Sequence, residues 1–116
     1  MSEINFIPGE LIKFDIKNKQ YTEEGLASGG MCTDSWDKMC VYKTIDLENF
    51  PSFNDFKGPK TIVTHGDVGI IVKKVGRPHR LSSSARWDCY DVFEIIIAEN
   101  ITGQVFRYNL SKTNND

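Results

Sequence analysis

Residues 10–17, ELIKFDIK, alternate apolar and polar side chains: Ile12, Phe14 and Ile16 fall on one side, Lys13, Asp15 and Lys17 on the other. That period of two predicts a first strand with one buried face, entered through a turn at Pro8-Gly9. The alternation then stops. Residues 19–60 sustain no period and read as a long insertion loop, with a short helical turn over 22–27 and β-prone Val41 and Tyr42. A loop of that length in a small domain is either functional or tied down by its own side chains.

Residues 61–111 carry clearer strand signals. KTIVTHGD predicts a short strand ending in a turn. VGIIVKKV, residues 68–75, predicts a strand whose apolar run asks for burial on both faces over part of its length. RPHRLSSSAR is a loop. WDCYDVFEIIIA, residues 87–98, reads as the longest strand, with Phe93, Ile95 and Ile97 on one side and Tyr90, Val92 and Ile96 on the other. ENITG predicts a tight reversal, with Gly103 available for a positive φ, and QVFRYNLS returns as a strand. Residues 112–116 form a polar tail that need not be ordered. Consecutive hairpins with little helix make a mainly β single domain over 1–116. Its antiparallel sheet has to curl to bury an apolar face, and a small barrel with a long irregular insertion after the first strand is the expected outcome.

Composition agrees with one soluble domain: 116 residues, 40% hydrophobic and 26% charged, which argues against disorder. The longest apolar run, residues 95–98, is far short of the roughly 20 residues a membrane helix needs. The N-terminus lacks the basic start and apolar stretch of a secretory signal. The three cysteines are an odd number, which fits a reducing compartment better than a disulfide framework. A cytosolic setting follows as the expectation, with Asn100-Ile101-Thr102 as a plain turn.

The order of these segments resembles the SH3-like barrels encoded as small proteins by tailed bacteriophages. The likeness is carried by Pro8-Gly9-Glu10-Leu11-Ile12, by GDVGIIV at 66–72 where that group has a Gly-x-x-Gly-x-Val strand, by residues 90–97 where it has a Tyr-x-Val strand, and by Phe106-Arg107-Tyr108-Asn109-Leu110. The resemblance extends over about half the chain; the insertion, residues 20–60, has no counterpart. The resemblance implies a non-enzymatic virion component, such as a capsid decoration, neck or tail-adaptor subunit. It would bind other virion proteins in a symmetric assembly put together in the host cytoplasm. A similar Gly-x-x-Gly-x-Val strand occurs in KOW-type barrels, which would imply a nucleic-acid-binding regulator instead. Fold alone does not decide function.

Charge gives these alternatives a location. Between His65 and Arg86 lie Lys73, Lys74, Arg77, Arg80 and Arg86, with Asp67 the only acid, so the segment carries +4; the whole chain is −2, leaving −6 for the rest. Segregation of this kind attracts phosphate or an acidic protein surface. Gly76 and Pro78 keep the loop out of the sheet. Lys73, Lys74, Arg77, His79, Arg80 and Arg86 are therefore candidate partner-binding residues, for a protein, for nucleic acid, or simply for solvent. Trp87 is the only aromatic adjacent to the loop, whereas base-stacking proteins interleave several aromatics with the charges.

The aromatics of the insertion, Trp36, Tyr42, Phe50, Phe53 and Phe56, exceed what a solvent-exposed loop needs. They either complete the core or form an apolar contact patch, for which Trp36, Phe53 and Phe56 are the candidates. Cys32, Cys40, Cys89, His65 and His79 have none of the short spacings of a zinc clamp. Ser82-Ser83-Ser84 near His79 lacks a nucleophile elbow. The carboxylates of TEEG and DLENF sit in no pattern that raises a pKa for acid–base work, and GDVG and GGMC lack the glycine spacing of phosphate loops. No cofactor, no metal and no catalytic residue is expected.

Overall fold

Strand β1 (Leu11–Phe14) realises the alternation, with Ile12 and Phe14 buried and Leu11 exposed. It belongs to a computed structural model that describes residues 6–16, 37–50, 56–81 and 83–113. The remaining strands are β2 (Lys38–Ile45), β3 (Phe56–Thr64), β4 (Val68–Gly76), β5 (Val92–Ala98), β6 (Ile101–Phe106) and β7 (Leu110–Lys112). They form a seven-stranded antiparallel sheet in the order β3-β2-β6-β5-β4-β1-β7. The sheet curls into an open half-barrel with β3 and β7 at its edges. Register shifts at Ile71/Lys73 and Lys74/Gly76 on β4, and at Ile96/Ala98 on β5, mark bulges. An extra residue on one strand bends the ladder and adds twist.

The structure corrects several boundaries. The stretch expected as an insertion loop, 19–60, contains all of β2 and the first residues of β3. Their period was hidden for two reasons. Met39, Cys40 and Val41 are all buried, so β2 does not alternate. In β3, Gly58 and Pro59 lie beside a register shift between Tyr42 and Thr44 of β2, the kind of irregularity an edge strand tolerates. The helical turn expected at 22–27 lies outside the described residues. The β5–β6 reversal is made by Glu99 and Asn100, with Asn100 at φ 63, a conformation asparagine adopts more readily than most residues. Gly103 instead sits within β6, where a Cβ would come 2.4 Å from Val41 Cγ1; it is needed for close strand packing rather than for the turn.

Two further expected strands are shortened or split by 3₁₀ turns. Residues Ala85–Tyr90 form a 3₁₀ helix, so β5 starts only at Val92. Arg107–Asn109 form a second 3₁₀ turn that splits the predicted closing strand into β6 and β7. Lys112, expected in the tail, is the last residue of β7.

The concave side holds two apolar clusters. One gathers Phe6, Ile12, Phe14, Ile16, Met39 and Val41 with Val63, Ile71, Phe93, Ile95, Val105 and Leu110. The other is built on Ile45, Phe50, Tyr90, Val92 and Phe106, with Phe56, Leu81 and Trp87 packed against it. Phe50 lies 5.0 Å from Phe106 and 5.8 Å from Tyr90 by ring centroids. Phe50 and Phe56 thus complete the core.

The two ends of the chain are joined across β1 and β7. Lys112 Nζ lies 2.5 Å from Glu10 Oε2, and Ile7 N–H donates to Glu10 Oε1 at 3.1 Å. The hydrogen bond from Lys112 is the main reason the Glu10 carboxyl is held below its ordinary value of 4.5. At the turn after β2, Asp46 accepts from Asn49 and pairs with Lys57, which lowers it from 3.8 to about 2. A carboxyl depressed in the folded state lends stability that is full above its unfolded value and is lost as pH falls through the folded one. Stability should therefore decline as pH drops from about 4.5 toward 2. Glu10→Gln should flatten the upper part of that decline, read as urea midpoint against pH; an unchanged slope would show that the Glu10–Lys112 pair does not couple to folding.

Candidate functional site

The 3₁₀ helix at Ala85–Tyr90 decides what becomes of the cationic loop. A 3₁₀ helix repeats every three residues, so Trp87 and Tyr90 share one edge and Asp88 and Asp91 share another. Trp87 and Tyr90 pack at 6.1 Å into the second apolar cluster. Asp88 and Asp91 are left facing Arg77. In a strand of period two these residues would point to opposite sides.

Arg77 is consequently fastened inside its own chain. Its Nε donates to Asp91 Oδ1 at 2.7 Å, one Nη donates to Asp88 Oδ1, and the other donates to the Ser84 carbonyl at 3.1 Å. Only 19% of the Arg77 side chain and 9% of the Asp91 side chain are exposed. The hydrogen bond to Asp91 and the two nearby carboxylates hold the guanidinium above its ordinary pKa, against the opposing effect of burial. Lys74 Nζ lies 3.3 Å from the other Asp91 oxygen. The second 3₁₀ turn joins the same hub, with Arg107 N–H donating to the Asp91 carbonyl at 2.7 Å. His79 N–H donates to the Leu47 carbonyl at 2.8 Å, fixing the loop to the turn after β2.

Arg77 is therefore a structural clamp, and Lys74 is partly committed to the same acid. The +4 segment ended at Arg86 and left out Asp88 and Asp91; over 65–91 five cations meet three acids, a net of +2. Of the candidate cations, Lys73, His79 and Arg80 are exposed, and their side chains make no ion pair or hydrogen bond among the described residues. The side chain of Arg86, and Trp36 and Phe53 entirely, lie outside the described residues. Phe56 is half-buried, 5.5 Å from Tyr42 and 6.2 Å from Phe106 by ring centroids. That makes it core rather than contact patch.

A second surface was not among the candidates. Leu11 of β1 is registered with Ile70 of β4, and Ile70 with Ile96 of β5. Residues directly opposite on neighbouring strands project to the same face, and here that face is convex and open to solvent. Leu11 is 49% exposed, Ile70 37% and Ile96 38%; Val68, two residues before Ile70, is 50% exposed. The intervening Ile12, Gly69, Ile71 and Ile95 point into the core. Strands β4 and β5 are thus apolar on both sides over this stretch, yet among the described residues one side is covered. Its signal was present in VGIIV, which asked for two buried faces.

The remaining titratable and sulfur groups have structural places. His65 Nδ1 accepts from Ile16 N–H at 3.0 Å across the β3–β4 turn. Cys40 is disulfide-bonded; the odd cysteine count, read as fitting a reducing compartment better than a disulfide framework, leaves one over but does not forbid a bridge. Cys89 is half-buried and keeps its thiol. Among the described residues no three of His, Cys, Asp and Glu come together as a metal-holding group. Comparison with family models, with curated proteins and with solved structures finds no match to this chain.

The clamp and the exposed cations should separate on substitution. Arg77→Ala leaves the nearly buried Asp91 with the looser contact to Lys74 and should cost about 1–3 kcal/mol, by the penalty for breaking a buried pair scaled down for partial exposure and the remaining cation. Arg80→Ala should stay within about 0.5 kcal/mol of the parent, as surface changes do. Urea unfolding of both variants measures this, and equal losses would remove the distinction.

Proposed function

We propose that the chain is a non-enzymatic structural module of the SH3-like barrel kind, acting by binding other proteins as a component of a bacteriophage particle such as a capsid decoration, neck or tail-adaptor subunit. The observation that carries the interaction reading is the registered apolar row Leu11–Ile70–Ile96, with Val68 beside it, exposed on the convex face of the sheet. A contiguous apolar patch rimmed by polar residues marks a protein contact more often than it marks bare surface. The particle assignment is supported by the resemblance of the sequence. Pro8-Gly9 leads into β1, Gly66 into β4 and Tyr90, at the end of a 3₁₀ helix, into β5, while the closing motif runs from β6 through a 3₁₀ turn to β7.

In this reading the apolar row supplies affinity and the exposed Lys73, His79 and Arg80 supply orientation. Charges at the rim of a contact act mainly on encounter rate and register. The KOW-type alternative relied on a broad cationic loop. With Arg77 clamped and Lys74 beside Asp91, fewer cations remain to meet phosphates.

Particles purified from the native source should contain the chain in multiple copies per particle, retained through a moderate-salt wash. Lys73→Glu with Arg80→Glu should reduce incorporation several-fold while leaving the unfolding midpoint unchanged. Chain found only in the soluble lysate, or held on nucleic acid with a steep dependence on salt, would overturn the proposal.

A further inference from the structure

We infer that the convex face centred on Ile70 is a self-association surface, and that its occupant is a second copy of this chain related by a two-fold axis. The inference rests on the interaction reading above and narrows the partner of that one face.

The row is symmetric about its middle strand. Leu11 on β1 and Ile96 on β5 lie one strand to either side of Ile70 on β4. A two-fold axis running along β4 through Ile70 places Leu11 over the partner's Ile96, Ile70 over the partner's Ile70, and Val68 over the partner's Val68. An isologous contact needs this kind of patch, one that matches its own rotated image. Face-to-face sheets with strands roughly aligned are also an ordinary packing mode.

The neighbouring charges fit the same operation. Lys73 and Glu94 are registered opposite each other on β4 and β5, and neither forms an ion pair with any described residue. Rotation about β4 leaves Lys73 near the axis and carries the partner's Glu94 to the opposite flank. Each Lys73 then lies between two carboxylates, one from each chain. That arrangement offsets the approach of the two lysines and gives the contact a preferred register. A partner of different sequence would have to supply both the matching apolar row and the flanking acid; a second copy brings both.

Because the face is convex, the contact is confined to this row and its rim, and the dimer belongs in the micromolar range. The test is sedimentation equilibrium of the full chain over a concentration series. The parent should be a reversible dimer. Ile70→Lys and Ile96→Lys should each weaken it at least about tenfold, as expected when a charge is forced into a desolvated contact. Ile62→Lys, at a still more exposed isoleucine on edge strand β3, should leave it unchanged. Lys73→Glu should weaken the dimer and the double exchange Lys73→Glu with Glu94→Lys should restore it; far-ultraviolet circular dichroism checks that each variant is folded. A parent monomeric up to several hundred micromolar overturns the inference, as does a dimer indifferent to Ile70→Lys and Ile96→Lys. A monomeric chain that is nonetheless found in particles would overturn the second copy while leaving the protein-binding reading intact.

Discussion

Strands β4 and β5 are apolar on both sides where they pair, and a single curled layer can cover only one of them. The concave side takes Ile71, Phe93 and Ile95 into the core. The convex side leaves Ile70 and Ile96 in water, extended by Leu11 and Val68 on registered neighbours. Antiparallel sheets with one solvated face normally place polar residues on it. The departure at these positions is the physical basis of the proposed binding role, because the hydrophobic effect rewards any surface that removes this row from water.

The other decisive feature is the change of period at Ala85–Tyr90. By moving from two to three it sends Trp87 and Tyr90 into the second cluster and Asp88 and Asp91 toward Arg77 in one step. Packing and charge therefore depend on the same turn. The clamp also moves the centre of functional interest. A loop that looks cationic in one dimension is half neutralised in three, and the exposed remainder, Lys73, His79 and Arg80, is better suited to orienting a contact than to holding it.

Much of this architecture could be read from residue order, and the exceptions have physical causes. β1 and β4 were legible because period-two alternation or a bounded apolar run survives in the sequence. β2 was not, since three successive residues, Met39, Cys40 and Val41, are buried and erase the alternation. The 3₁₀ helix was hidden because Trp87 to Ala98 also scans as a strand; the spacing of Trp87 to Tyr90 and of Asp88 to Asp91 was the available clue. The role of Arg77 depended on acids just beyond the cationic window. The convex row was half visible, as the demand of VGIIV for burial on both faces. The residues that extend it, Leu11 and Ile96, could be identified only from the strand register.

The most direct test of a covered convex face is an isotope-filtered nuclear Overhauser measurement on an equimolar mixture of methyl-labelled and unlabelled chain at high concentration. Contacts between chains should connect the Ile70 and Ile96 methyls of one molecule to the Ile70 and Leu11 methyls of another. Their absence at a concentration where the chain is well folded would contradict the account.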